Sequence, residues 1–241
     1  MDNNRILLNN KISQFILRID LTPDTKVDFK RLAEDLKSEY NSYKTELHVN
    51  YNINIQKVEI NKEDFVTYIL GKTPSVVLKI DSFNKSIIIE SLMYSDSSIY
   101  KNRLKKIIEV LKSYHIDVLS QRIGMRFINT YACERPNGIS KIFNTVESKS
   151  IINAISKQKI ARAMIVEEFQ NESNLTRVQY GVPNKFYPSA IASYDMVLDI
   201  DVYSGGVESI DTWEETIDGY NHQAYDTFIS YIKESYLNTL K

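Results

Sequence analysis

Arg122-Ile-Gly-Met-Arg-Phe-Ile-Asn129, inside a longer run from about Val118 to Tyr131, is the stretch on which the fold turns. Read with a period of two, Ile123, Met125 and Phe127 fall on one side and Arg122, Gly124, Arg126 and Ile128 on the other. That is the pattern of a half-buried strand. Gly124 weakens a strand interior, so a close neighbour that a side chain would block is expected beside it. Ile12–Leu21 has the same character, with Phe15, Leu17, Ile19 and Leu21 alternating against Gln14, Ile16, Arg18 and Asp20.

Working outward, each of these strands opens a similar series. After the first, Thr22-Pro23-Asp24-Thr25 supplies a turn and helix cap, and Phe29, Leu32, Ala33, Leu36 and Tyr40 recur at helical spacing. Leu47, Val49, Tyr51, Ile53 and Ile55 alternate with polar residues, which predicts a long strand with one wet face. Val76–Ile80 and Ser86–Met93 flank a turn over Asp81–Lys85 and read as a hairpin. Asp96, Ser97 or Ser98 caps a helix with Leu104, Ile107, Ile108 and Leu111 on one face.

In the second series, Pro136-Asn137-Gly138 breaks the strand, and one or two short helices cover about Ile139–Lys157. Strands follow over Ala161–Phe169 and Leu175–Val182, joined across Asn171–Asn174, and then over Tyr194–Tyr203 up to Gly205-Gly206. A last amphipathic helix holds Tyr225, Phe228, Ile229, Ile232 and Tyr236. The expected class is therefore α+β, with mostly antiparallel sheets and amphipathic helices. The halves are residues 1–115 and 116–241, either as a pseudo-repeated pair or as one continuous domain.

Composition excludes several classes. With 241 residues, 43% of them hydrophobic and 25% charged, the chain is not disordered, collagen-like or a disulfide scaffold. No apolar run approaches the ~20 residues of a membrane span. The opening MDNNRILLNNK is too short in apolar residues for a secretory signal, so a cytoplasmic location without membrane contact is expected. The single Cys133 forbids an intrachain disulfide. The net charge of −1 conceals an asymmetry. From Phe186 to Ile232 there are nine acids and no Lys or Arg, so the remaining chain holds 30 bases against 22 acids. The bases concentrate at Lys101, Arg103, Lys105, Lys106 and Lys112, and at Lys141, Lys149, Lys157, Lys159 and Arg162. Such segregation either steers charged partners or reflects two regions that face one another or water.

Arg122 and Arg126 either grip a phosphate or carboxylate, or pair with acids of a neighbouring strand. The strand Tyr194–Tyr203, with Asp195, Asp199 and Asp201 on one face, is the expected neighbour. Asp199 and Asp201 also have the hard oxygens a divalent cation prefers, and Asp218, His222 and Asp226 form a stripe at i, i+4 and i+8. There is no Gly-rich phosphate loop, no zinc spacing and no G-x-S-x-G, and Cys133 reads as an inert strand-end residue. No catalytic residue, metal or cofactor is assigned, and a non-enzymatic protein is expected. In the acidic stretch Ser204–Asp218, Trp213 stands among Asp211, Glu214 and Glu215. It is either an aromatic anchor for a basic protein surface or a core residue with solvated neighbours. The candidate partner-binding residues are Trp213, Glu214, Glu215, Asp211, Arg122 and Arg126.

The R-I-G-M-R-F-I-N stretch at Arg122–Asn129, the later Asp199-Ile-Asp201 and His222 within a C-terminal helix resemble a sporadically distributed, largely uncharacterised family of prokaryotic proteins. Met125 and Phe127 stand where Leu and Tyr are more typical of it. The resemblance implies no catalytic residue, and the family's patchy occurrence implies phage defence or counter-defence. The expected function is thus a non-enzymatic macromolecule-binding or regulatory protein. Two alternatives stay open: a metal-dependent nuclease or phosphodiesterase using Asp199 and Asp201, and a nucleic-acid-binding module using the Lys101–Lys112 helix.

Overall fold

A computed structural model describes residues 10–54, 59–73, 75–156, 160–171 and 174–240. In chain order the elements are β1 (Ile12–Leu21), α1 (Phe29–Leu36), β2 (Ser42–Asn54), β3 (Glu59–Thr73), β4 (Val76–Asp81), β5 (Ser86–Ser91) and α2 (Ser97–Ser113). Then come β6 (Leu119–Tyr131), α3 (Pro136–Ile142), α4 (Thr145–Ser156), β7 (Ala163–Gln170), β8 (Asn174–Val182), β9 (Met196–Ser204), β10 (Glu208–Ser209), α5 (Trp213–Tyr231) and α6 (Glu234–Leu237). The class is α+β. A mostly antiparallel sheet runs β2-β3-β4-β5-β1-β6-β9-β8-β7, with β10 added to β6. No described helix is long and apolar enough to cross a membrane.

The chain divides into two compact units, each assembled from separate segments. One comprises Ile16–Gly124 and Ser204–Thr216; the other Met1–Phe15, Met125–Tyr203 and Ile217–Lys241.

In the unit built on Ile16–Gly124, the alternation of β1 buries Leu17, Ile19 and Leu21, and helical spacing buries Phe29, Leu32, Ala33 and Leu36 of α1. The cap of α1 is Asp28, whose carboxylate accepts from the Arg31 amide, while Thr22–Thr25 forms a preceding turn. Asp96 caps α2 by accepting from the Ser98 amide at 2.6 Å, and Tyr100, Leu104, Ile107, Ile108 and Leu111 are buried. The β4–β5 hairpin forms as expected. Asp81 accepts from the Phe83 and Asn84 amides, and Lys85 takes the left-handed conformation at φ 49°.

The dry face expected on β2 is a correction. Leu47 is 64% exposed and Val49 40%. β3 pairs with β2 from Glu59 to Gly71 but with β4 only from Thr67 onward, so among the described residues no third strand continues the sheet at Leu47 and Val49. Alternation makes a face apolar, but burial needs something to cover it. Ile55, at the end of that predicted strand, lies outside the described residues, as do Lys157 and Lys159 of the basic stretch.

In the other unit Phe15, Met125 and Phe127 are buried, and the rings of Phe15 and Phe127 lie 5.1 Å apart. Four tyrosines join Phe143 in an aromatic cluster: Tyr131 meets Phe143 and Tyr236 edge-on, and Tyr180 meets Phe143 and Tyr231. Pro136 does more than end β6, because it opens α3, where its missing N–H costs nothing. The last helix is phased differently from the expectation. α5 starts at Trp213, which belongs to the first unit and is buried, and within this unit it buries Ile217, Tyr220, Ala224, Phe228 and Tyr231, leaving Ile229 38% exposed and Tyr225 at the margin.

Candidate functional site

On β6 the apolar residues of Ile123–Phe127 turn inward, so Arg122 and Arg126 are left half-buried on the opposite face. β9 is the neighbouring strand, as expected. Arg126 donates through Nε to Asp199 Oδ1 at 2.8 Å and through Nη2 to Oδ2 at 2.6 Å. Hydrogen bonding to Asp199 holds the guanidinium pKa above its ordinary value, against burial, and the charges of Asp199 and Asp201 act in the same direction. The Asp199 side chain is 10% exposed and that of Arg126 42%, so the carboxylate is largely withdrawn from water while the guanidinium stays partly hydrated. A planar fork on a carboxylate leaves that edge of Arg126 already filled.

The same geometry bears on the cation-site alternative. Both oxygens of Asp199 are spent on Arg126, and no group of three His, Cys, Asp or Glu side chains suited to a metal occurs among the described residues. Asp218, His222 and Asp226 are exposed on α5, but His222 turns back along its own helix: Nδ1 lies 2.7 Å from the Asp218 carbonyl oxygen. Cys133 is buried and its thiol pKa is pushed up, by burial first and then by the charge of Asp195, which opposes formation of a thiolate.

The acidic stretch from Ser204 to Asp218 is ordered structure rather than a loop. β10 pairs with β6 at Ser120 and Leu119, the Ser209 hydroxyl accepts from the Asp211 amide, and a tight turn leads into α5. Trp213 is 6% exposed and belongs to the core, which removes it as a surface anchor. Glu214 and Glu215 are exposed in the first turn of α5, where the helix dipole favours carboxylates. Asp211 forms an ion pair with Lys112 at 2.5 Å, which holds its carboxyl below the usual range. The basic face of α2 is therefore partly neutralised: Lys112 meets Asp211, and Lys106 meets Glu39 at 2.7 Å. A pocket of about 220 Å³ lies there, lined by Leu36, Glu39, Tyr40, Asn102, Arg103 and Lys106. It is smaller than the roughly 300–1,000 Å³ usual for small-molecule sites.

A different region collects exposed aromatic rings and cations, and none of its geometry was anticipated. One residue before the end of β8 stands Gly181, whose φ is +142° and where a Cβ would fall 2.1 Å from the Ala163 carbonyl oxygen, so only glycine lets β8 run so close to β7 here. The chain then enters the connection 183–195 through Asn184, buried and left-handed at φ 53°. Its side-chain amide donates to the carbonyls of Ala161 and Ser189, both at 2.7 Å, and its Oδ1 accepts from the Phe186 amide at 3.1 Å. Backbone bonds from Tyr187 to Asn184, Ser189 to Phe186 and Ile191 to Ile160 complete the framework.

This framework presents Phe186, 56% exposed, and Tyr187, 60% exposed. Each ring has a cation over it. The Arg162 guanidinium lies 5.1 Å from the Tyr187 ring centre while its Nε donates to the Pro183 carbonyl, and Lys185 Nζ lies 5.6 Å from the Phe186 ring centre. Lys185 is also 3.6 Å from Asp195, whereas no carboxylate pairs with Arg162 among the described residues. The available signal was the run Val182-Pro-Asn-Lys-Phe-Tyr-Pro188, in which turn-forming residues bracket two adjacent aromatics and a cation. No protein-family model matches the chain, and no curated protein or solved structure matches it either.

Proposed function

We propose that this is a non-enzymatic macromolecule-binding protein that recognises its partner through Phe186, Tyr187, Lys185 and Arg162. One observation carries the reading: two adjacent rings, each more than half exposed, are held by a hydrogen-bonded framework centred on the buried Asn184. Exposed aromatics lose hydrophobic stabilisation unless something covers them. A loop ordered before binding also avoids much of the conformational entropy cost of association. The two arginine-bearing sites divide accordingly, since Arg126 is engaged by Asp199 and Arg162 by a ring and a backbone carbonyl.

The test is cross-linking and affinity capture from the native host with wild type and with Phe186→Ala/Tyr187→Ala, identifying both proteins and nucleic acids. Because both rings are exposed, the double variant should keep the wild-type circular dichroism and melting temperature. A partner present with wild type and lost with the variant supports the reading. Identical profiles from two folded proteins would remove the loop from the interface.

A further inference from the structure

We infer that the partner bound at this loop is a single-stranded nucleic acid, with a base stacked on each of Phe186 and Tyr187 and phosphates held by Arg162 and Lys185. This rests on the reading of the loop as the recognition surface and assigns its chemistry. Aromatic faces beside cations are the two groups that an unpaired strand requires: a platform for a base and a charge for the adjacent phosphate. Here the two are coupled residue by residue, Arg162 with Tyr187 and Lys185 with Phe186. A cation over one face of a ring leaves the other face for a base, and it strengthens an arrangement in which cation, ring and base lie in succession.

The local charge points the same way. Arg162 has no carboxylate partner among the described residues, and the 3.6 Å contact of Lys185 with Asp195 is long enough for a phosphate to compete. The Ile160 carbonyl accepts from Ile191 of the loop, so the segment that follows Lys157 and Lys159 in sequence is fastened to the framework. A protein-docking anchor is normally ringed by residues that exclude water. Here Lys185, Phe186, Tyr187, Pro188, Ser189 and Ala190 are all exposed, which suits a thin, flexible ligand that brings its own stacking surface. A duplex keeps its bases paired and stacked inside, so it offers these rings little.

The experiment uses fluorescence anisotropy of the full chain with labelled 12-nucleotide dT and U strands and with a 12-base-pair duplex, from 50 to 300 mM salt. Binding to single strands and not to the duplex is expected. Two phosphate contacts give a slope of log K against log salt of about −1.4, and Arg162→Ala should make it shallower by about 0.7. Removing either ring by alanine should weaken binding by roughly fivefold to a hundredfold, while Phe186→Tyr/Tyr187→Phe should retain it. The comparison of dT with U tells whether the sugar contributes. Absence of strand binding at 50 mM salt, equal binding of the duplex, or full binding by a folded Phe186→Ala/Tyr187→Ala protein would each overturn the inference. If cross-linking nonetheless captures a protein that the double variant loses, the recognition loop stands and only the nucleic-acid assignment fails.

Discussion

Arg126 and Arg162 belong to the same compact unit and have opposite surroundings. Arg126 lies on a strand, its fork closed on a carboxylate that is 10% exposed. Arg162 stands just before a strand, exposed, resting on a ring and one carbonyl. In the first place, a carboxylate is withdrawn from water and must be satisfied within the fold; in the second, a scaffold holds apolar and cationic groups out toward water. The difference shows that formal charge alone does not mark a binding residue. What marks it is whether the partner of that charge is already in the fold.

The largest expected effect tests how far burial governs the withdrawn region. Burial, with the charges of Glu167 and Glu147 next, pushes Tyr180 up from 10 to about 12. Tyr231 and Tyr131 are also raised, in both cases by burial first. A tyrosine raised in the folded state binds its proton more tightly there than in the unfolded chain. Its contribution is therefore complete below pH 10 and is lost as pH rises from 10 through the folded value. The part of the tyrosinate absorbance that comes from these buried residues should then rise together with loss of circular dichroism, as one cooperative transition between about pH 10 and 12. Smooth ionisation of these tyrosines near pH 10 in a chain that keeps its fold would break the contrast.

The second effect sets the two arginines side by side. Arg126→Ala strands a largely buried Asp199 carboxylate and should destabilise the fold by about 1–3 kcal/mol in urea unfolding. Arg162→Ala loses an exposed ring contact and a single hydrogen bond, so less than ~1 kcal/mol is expected. Equal losses would mean that the loop is as deeply embedded as the strand pair, and the division between the two sites would fall.

Legibility in the sequence followed the same division. Period-two and helical patterns located β1, the β4–β5 hairpin, the buried face of α2 and the neighbouring of β6 and β9, because apolar spacing and opposed charges are local signals. The exposure of Leu47 was not legible, since it depends on where β3 stops pairing with β4. Nor was the phase of α5. Its buried face begins at Trp213, in an acid-rich segment where the sequence left a surface anchor and a core residue as equal alternatives. Loop 183–195 escaped for another reason: Asn184 organises it through bonds to Ala161 and Ser189, and no periodicity encodes those. Turn residues announce that the chain reverses, but not which side chains the reversal leaves exposed.

The smallest expected effect concerns a single oxygen in the withdrawn region. Tyr131 is 2% exposed, and its hydroxyl has no hydrogen-bond partner among the described residues. Tyr231 is buried nearby in the aromatic cluster, and its hydroxyl donates to the Glu167 carboxylate. If satisfied polar groups stabilise this region, the two tyrosines should respond differently to the same chemical change. Tyr231→Phe deprives a carboxylate of its donor and should cost about 1–2 kcal/mol. Tyr131→Phe removes an oxygen that folding has stripped of water without compensation, while its ring keeps the contacts with Phe143 and Tyr236. Its change should fall within about 0.5 kcal/mol of zero or be slightly stabilising. Urea midpoints at neutral pH measure both substitutions on one scale. A Tyr131→Phe loss as large as that of Tyr231→Phe would mean that the Tyr131 hydroxyl is hydrogen-bonded in solution, most simply to a buried water.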